Sequence, residues 1–172
     1  MNKREESGLV FVAPFGLDTP QDLDFNESTP WMAELLNELE EDLDSEDMNH
    51  PTLSNRSLSF SGEVVKKTNP SYDDYVLLNG TLKSEYRTYC ITSGELMQDT
   101  LDAEVKAVFL AKALNEKLEL ADEVSFYIDE DEYDLFYFEN RHIDLKSCLH
   151  EYLFLNKNQY PKIEGAQVPQ IK

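Results

Sequence analysis

Basic residues are scarce in this chain of 172 residues, which has 15 Lys and Arg against 35 Asp and Glu and a formal net charge of −20. The only adjacent basic pairs are Lys3-Arg4 and Lys66-Lys67. Proteins that grip phosphate backbones or anionic membranes carry clustered Lys and Arg. The sequence therefore predicts no non-specific nucleic-acid binding and no membrane binding. It favours basic proteins as partners, because opposite charge speeds and orients their encounter.

Cysteines and long apolar segments are also rare. Cys90 and Cys148 are the only thiols, too few for a disulfide framework. No apolar run approaches the ~20 residues of a membrane span, and the first residues do not lead into an apolar secretory region. With 41% hydrophobic residues the chain can still build one core. We expect a soluble, cytoplasmic protein.

The usual motifs of catalysis and metal binding are missing from the sequence. It contains no G-x-G-x-x-G, G-K-[ST] or G-x-S-x-G, and no C-x-x-C or H-x-x-x-H spacing. The four consecutive carboxylates at 129–132 lack the spaced ligands and central glycine of an EF-hand loop. We therefore expect no cofactor, no bound metal and no enzymatic activity.

The first 50 residues are more acidic than the rest, with 14 acidic and 2 basic residues. This asymmetry predicts an acidic N-terminal arm over 1–50. Residues 18–29 have the composition of a loop. Residues 30–43 form an amphipathic pattern that begins at Thr29-Pro30, a helix-start signal.

The apolar stripe of this predicted helix has two interpretations. It either docks onto its own domain or is offered to the groove of a partner. In the second case the helix and the acidic segment after it form a candidate partner surface. Its residues are Trp31, Leu35, Leu39, Glu40, Glu41, Asp42 and Asp44.

Residues 51–161 carry most of the strand periodicity and are predicted to fold without the first 50. Alternating patterns over 57–66, 74–91, 124–128 and 135–138 indicate strands, and Asp144 is placed to cap a C-terminal helix. Asn79-Gly80 signals either a hairpin turn or a bulge. Residues 97–120 suit strand or helix; we assign 99–110 to a strand. The predicted fold is α+β, a mainly antiparallel sheet with flanking helices, followed by a flexible tail over 162–172.

Two segments resemble the YceD family. The run from Gly80 to Cys90 is similar to that family's strand from a Gly to a Cys, and Ile143-Asp144-Leu145 is similar to its closing helix, with Pro161 beyond it. Ser93 stands where many members have a second Cys, so a metal role is not carried over. The resemblance implies a structural role for Gly80, Cys90, Ile143, Asp144 and Leu145.

The family is associated with accumulation of large-subunit ribosomal RNA. The resemblance thus implies a non-enzymatic accessory factor in large ribosomal subunit biogenesis. The net charge favours contact with a basic ribosomal protein or the assembling subunit. One alternative is an acidic nucleic-acid mimic that blocks a DNA- or RNA-binding protein. Another is a hydrolase that uses clustered carboxylates with a divalent ion.

Overall fold

The computed structural model describes residues 7–50, 55–120 and 123–165. Within these ranges it has eight strands and four helices: β1 Leu9–Phe11, β2 Gln21–Asn26, α1 Pro30–Leu39, α2 Ser45–Met48, β3 Ser57–Asn69, β4 Asp73–Tyr89, β5 Leu96–Ala111, α3 Leu114–Lys117, β6 Ser125–Ile128, β7 Asp131–Phe138, β8 His142–Asp144 and α4 Leu145–Asn156.

Six of these strands form one sheet in the order β2-β3-β4-β5-β7-β6. All neighbours are antiparallel except β5 and β7, which run parallel. β1 and β8 form a separate antiparallel pair. This mixed α+β fold with a mostly antiparallel sheet confirms the predicted class.

The main core lies between one face of the sheet and the helices α1 and α4. Alternation along β4 sends Val76, Leu78, Leu82 and Tyr86 to this face, where they meet the apolar residues of both helices. A smaller apolar cluster on the opposite face includes Leu114 of α3, Ile128 of β6 and Tyr133 of β7. The rest of that opposite face, which includes Thr81, Lys83 and Glu85, is exposed.

Gly80 lies inside β4, which continues without a turn or bulge. It pairs with Gly62 of β3 in an uninterrupted register. A Cβ at Gly80 would lie 2.6 Å from the carbonyl oxygen of Ser61 and 2.8 Å from the ring of Phe60. Glycine is therefore required here by the close approach of β3 and the Phe60 ring, and not by turn geometry.

Residues 7–50 belong to the same core as the rest of the protein. β1 pairs with β8, β2 forms the edge strand beside β3, and α1 contributes five buried side chains. The loop predicted over 18–29 thus contains a strand. A division at residue 50 would cut through one hydrophobic core, so the predicted separate arm is not what the structure shows for residues 7–50.

The C-terminal helix begins where the sequence predicted. Asp144 caps α4 by accepting a hydrogen bond from the backbone N–H of Ser147, 3.0 Å away. Beyond α4 the chain is described to residue 165, so most of the predicted tail lies outside the described residues. Among the described residues no helix is long and apolar enough to cross a membrane.

Candidate functional site

The apolar residues of the candidate partner surface lie inside the protein. Trp31, Leu35 and Leu39 are at most 1% exposed and pack in the main core, with the Trp31 ring edge-on to Phe25. They bury their apolar area within their own chain, so none presents a surface to a partner. The structure thus shows the first interpretation of this helix, docking onto its own domain.

Glu40, also assigned to the partner surface, is a buried ion-pairing residue. Its Oε2 lies 2.8 Å from Nε of Arg87 and accepts the backbone N–H of the same residue at 3.0 Å. Its Oε1 accepts from Nε of Arg56 at 2.7 Å. Two guanidinium groups, one from β4 and one from the residue before β3, therefore neutralise one carboxylate at the end of α1.

The electrostatics of this cluster favour its charged form. Burial by itself raises the pKa of Glu40, but the hydrogen bonds and positive charges of Arg87 and Arg56 outweigh that cost and lower it. The hydrogen bonds to Glu40 also raise the pKa of Arg87. The cluster is an internal brace and is not available to bind a partner.

Asp44 and its neighbours extend the brace along the end of β4. Nη1 of Arg87 donates to the carbonyl oxygens of Asp47 at 3.2 Å and Met48 at 2.7 Å. The hydroxyl of Tyr89 donates to Oδ2 of Asp47 at 2.6 Å and accepts the backbone N–H of Asp44 at 3.0 Å. Asp44 also caps the single turn α2. Residues 44–48 are thus held against the end of β4 by hydrogen bonds.

Glu41 and Asp42 are the members of the candidate surface whose side chains remain exposed without a structural partner among the described contacts. They line a cavity of about 420 Å³ between the end of β4 and the C-terminal end of α4, which we call the β4-end groove. Its lining residues are Glu41, Asp42, Thr88, Tyr89, Cys90, Ile91, Phe154, Lys157, Asn158, Gln159 and Pro161.

The groove has one fixed cation and one exposed apolar side chain. Lys157 donates from Nζ to the carbonyl oxygen of Leu39 at 2.9 Å, which joins the end of α4 to the end of α1. Ile91 is 58% exposed. Its backbone N–H donates to the carbonyl oxygen of Pro161 at 2.7 Å. This hydrogen bond joins the segment after β4 to the segment after α4.

Cys90 is a buried residue at the base of this groove. Its Sγ accepts the backbone N–H groups of Ser93 at 3.4 Å and Ile163 at 3.3 Å. Hydrogen bonding from the side chain of Ser93 is the largest cause that lowers the pKa of the Cys90 thiol to about 7, and burial opposes it. Burial instead raises the pKa of Cys148, in the core beneath α4.

The groove is suited to binding a basic side chain beside an apolar one. Its two exposed carboxylates outnumber the single Lys157 and attract a further cation, and Ile91 offers apolar area in the same groove. No histidine is among the residues that line it, so no imidazole base faces Cys90 there. Among the described residues, no three His, Cys, Asp or Glu side chains are grouped to hold a metal ion.

Arg87 and Tyr89 were missed by sequence reasoning, which named Ser93 only as the position of an absent second cysteine. One signal did exist: Glu40 follows Met32 and Leu36 at intervals of four, so it lies on the apolar stripe. A carboxylate on a buried stripe requires a cationic partner. The sequence does not say which of the scattered Arg and Lys residues provides it.

Each residue that carries the family resemblance is buried, closely packed or a helix cap. Cys90, Ile143 and Leu145 are buried, Gly80 is packed against Phe60, and Asp144 is a helix cap. No family model matches the chain, and no curated protein or solved structure matches it either.

Proposed function

We propose that the protein is a non-enzymatic binding protein for a basic partner, and that Glu41, Asp42 and Ile91 in the β4-end groove contact this partner. The observation that carries the proposal is the presence of two exposed carboxylates, for which no ion pair is described, beside an exposed apolar side chain on a braced wall. The brace of Glu40 and Arg87 fixes the backbone next to both carboxylates. A fixed surface loses little conformational entropy when it binds.

The finer proposal is a cytoplasmic accessory factor in large ribosomal subunit biogenesis that holds a basic ribosomal protein. The resemblance of Gly80–Cys90 and Ile143–Leu145 to the YceD family supports it, together with the net charge of −20. A chain of this charge repels phosphate and attracts basic ribosomal proteins, so it would act on the subunit through protein contacts.

The experiment measures binding of the full chain to purified large-subunit ribosomal proteins. Association and dissociation rates are recorded at several salt concentrations for the wild type and for Glu41→Gln with Asp42→Asn. Screening shortens the reach of exposed charges to about 10 Å at 0.1 M salt. We expect binding to one or a few basic proteins, an association rate that falls as salt rises, and slower association for the double variant.

A matched control removes the same charge from the exposed face of the sheet by Glu85→Gln with Asp102→Asn. If this control slows association as much as the groove variant, net charge alone drives binding and the groove has no special role. If no large-subunit protein binds, the ribosomal proposal is wrong, whereas binding of another basic protein at the groove would retain the broader one.

An acidic nucleic-acid mimic is the second candidate, and the exposed sheet face favours it. Asp22 and Asp24 on β2 and Asp102 and Glu104 on β5 point to this face, opposite the core. Alternate residues of a strand lie about 6.6 to 6.8 Å apart, so each strand presents a regular pair of carboxylates. If the protein is such a mimic, Glu85→Gln with Asp102→Asn should weaken binding to the partner. Single-stranded or duplex nucleic acid should also compete with the protein for that partner.

A further inference from the structure

A second groove lies between α4 and the β6–β7 hairpin. It has a volume of about 410 Å³, and we call it the β6–β7 groove. The residues that line it are Glu123, Val124, Ser125, Glu132, Asp134, Leu135, Phe136, Glu151, Tyr152 and Leu155.

The groove exists because α4 covers only part of the sheet. Tyr152 of α4 packs near Phe136 of β7, which in turn stacks on Phe109 of β5 with ring centroids 5.4 Å apart. β6 is the edge strand beside β7. Two large apolar side chains are left at the rim, Val124 at 81% exposure and Leu155 at 76%.

The charges at this groove all have one sign. Four carboxylates line it, and no Lys or Arg is among the lining residues. Asp134 accepts a hydrogen bond from the hydroxyl of Tyr152, and Glu132 accepts one from Tyr127 at 3.2 Å. No described contact places any of the four in an ion pair, in contrast to Glu40. Their negative charge is thus not neutralised by the part of the chain that the structure describes.

We propose that the β6–β7 groove docks a partner segment that carries apolar side chains flanked by Lys or Arg. The exposed apolar rim provides a contact area for an apolar side chain of the partner. The carboxylates favour positively charged residues next to that side chain. A neutral apolar ligand would remove water from the four carboxylates without providing a positive charge, and the free energy of that desolvation is unfavourable. A second copy of this chain would bring like charges together, so charge complementarity selects a basic segment.

This site is distinct from the one under "Proposed function" and does not rest on it. In a site with an apolar centre and a charged rim, the apolar contact mainly slows dissociation of the partner. The charges at the rim mainly speed its association. The two parts respond differently to salt, which makes them separable by experiment.

The test uses the full chain and three synthetic 12-residue peptides, followed by fluorescence anisotropy. The first alternates Lys and Leu, the second alternates Lys and Ser, and the third alternates Glu and Leu. The expected result is saturable binding of the Lys-Leu peptide, much weaker binding of the Lys-Ser peptide and none of the Glu-Leu peptide. Equal binding of the Lys-Leu and Lys-Ser peptides would overturn the proposal, because the apolar rim would then contribute nothing.

Two variants locate the binding. Val124→Ser with Leu155→Ser is expected to lower the affinity for the Lys-Leu peptide about tenfold or more, and this loss should persist at high salt. Glu132→Gln with Glu151→Gln is expected to weaken it mainly at low salt. These side chains are exposed, so circular dichroism should report an unchanged fold.

Controls outside both grooves test the location of the site. Leu17→Ser, at a side chain that is 48% exposed, and Asp73→Asn with Asp74→Asn should leave the Lys-Leu peptide bound as in the wild type. If these control substitutions weaken binding of the Lys-Leu peptide and the β6–β7 variants do not, the proposal is overturned, whatever the result for ribosomal proteins. A dimer in sedimentation that Val124→Ser with Leu155→Ser abolishes would also overturn it, since the occupant would then be a second copy.

Discussion

The carboxylate of Glu40 and the guanidinium of Arg87 form a buried ion pair, with Oε2 of Glu40 2.8 Å from Nε of Arg87. The same oxygen accepts the backbone N–H of Arg87 at 3.0 Å. The pair joins the end of α1 to the end of β4, so it fixes the acidic segment that follows α1 against the sheet.

Loss of this pair should destabilise the fold strongly. Glu40→Gln leaves the Arg87 guanidinium buried without its counter-charge, and removing one partner of a buried pair costs about 3 to 5 kcal/mol. Urea denaturation at neutral pH measures the change. The matched control is Glu41→Gln, one residue further along and exposed, which should change the free energy of unfolding by no more than about 0.5 kcal/mol. Equal losses in the two variants would contradict the assignment.

The contribution of Glu40 should depend on pH with a defined sign. Its pKa in the folded protein lies below the ordinary value of 4.5. The ionised form is therefore favoured by folding, and its contribution is complete above pH 4.5 and is lost as the pH falls through the folded pKa. The difference in unfolding free energy between wild type and Glu40→Gln should narrow below pH 4.5. A difference that stays constant down to strongly acidic pH would contradict this.

The N-terminal 50 residues should be required for folding. A chain that begins at Pro51 lacks β1, β2 and α1, so it exposes the apolar face of the sheet that α1 covers. We expect it to show no cooperative thermal transition, contrary to what the charge asymmetry of the sequence predicts.

A pair of single substitutions tests the same point in the full chain. Leu35→Ala should cost about 2 to 5 kcal/mol because it opens a cavity in the core. Leu155→Ala, also in a helix but 76% exposed, should cost far less. Similar costs for the two would mean that α1 does not pack on the core.

The Cys90 thiol should titrate near neutral pH. Thiolate absorbance in the ultraviolet should rise with an apparent pKa of about 7, and Ser93→Ala should raise this value because the side chain of Ser93 is the largest cause of the lowered pKa. Cys148→Ala should leave the titration unchanged, since burial holds the pKa of Cys148 well above 9.0. An identical titration for Ser93→Ala would show that other groups set the pKa.

This thiol also links stability to pH. Its folded pKa of about 7 lies below the ordinary 9.0, so the thiolate stabilises the fold above pH 9.0 and the contribution is lost as the pH falls through 7. The melting temperature of wild type relative to Cys90→Ala should therefore increase from pH 7 toward pH 9.

Local patterns were sufficient to predict much of the fold. Alternation identified β3, β4 and the strand in 99–110, and Asp144 identified the start of α4, because these signals depend on neighbouring residues alone. β2 was missed since Asp22, Asp24 and Asn26 have low strand propensity and are tolerated only at an exposed edge.

The candidate site depended on contacts that no local pattern contains. Glu40 meets Arg87 across 47 residues, and Cys90 receives the N–H of Ile163 across 73. Exposed and buried carboxylates look alike in sequence until the fold is known. Glu40 was for that reason grouped with Glu41 and Asp42, although its environment is the opposite of theirs.

The pairing of β1 with β8 has a consequence for synthesis of the protein in the cell. Leu9 is bonded in register with Asp144, and α1 packs against α4. Roughly 100 residues separate the two helices, which at about 5 to 20 residues per second delays completion of the core by about 5 to 20 s after α1 leaves the ribosome. During that interval the Trp31 stripe is solvent-exposed on the nascent chain. Slow codons between α1 and α4 should therefore increase capture by chaperones, whereas slow codons before α1 should not.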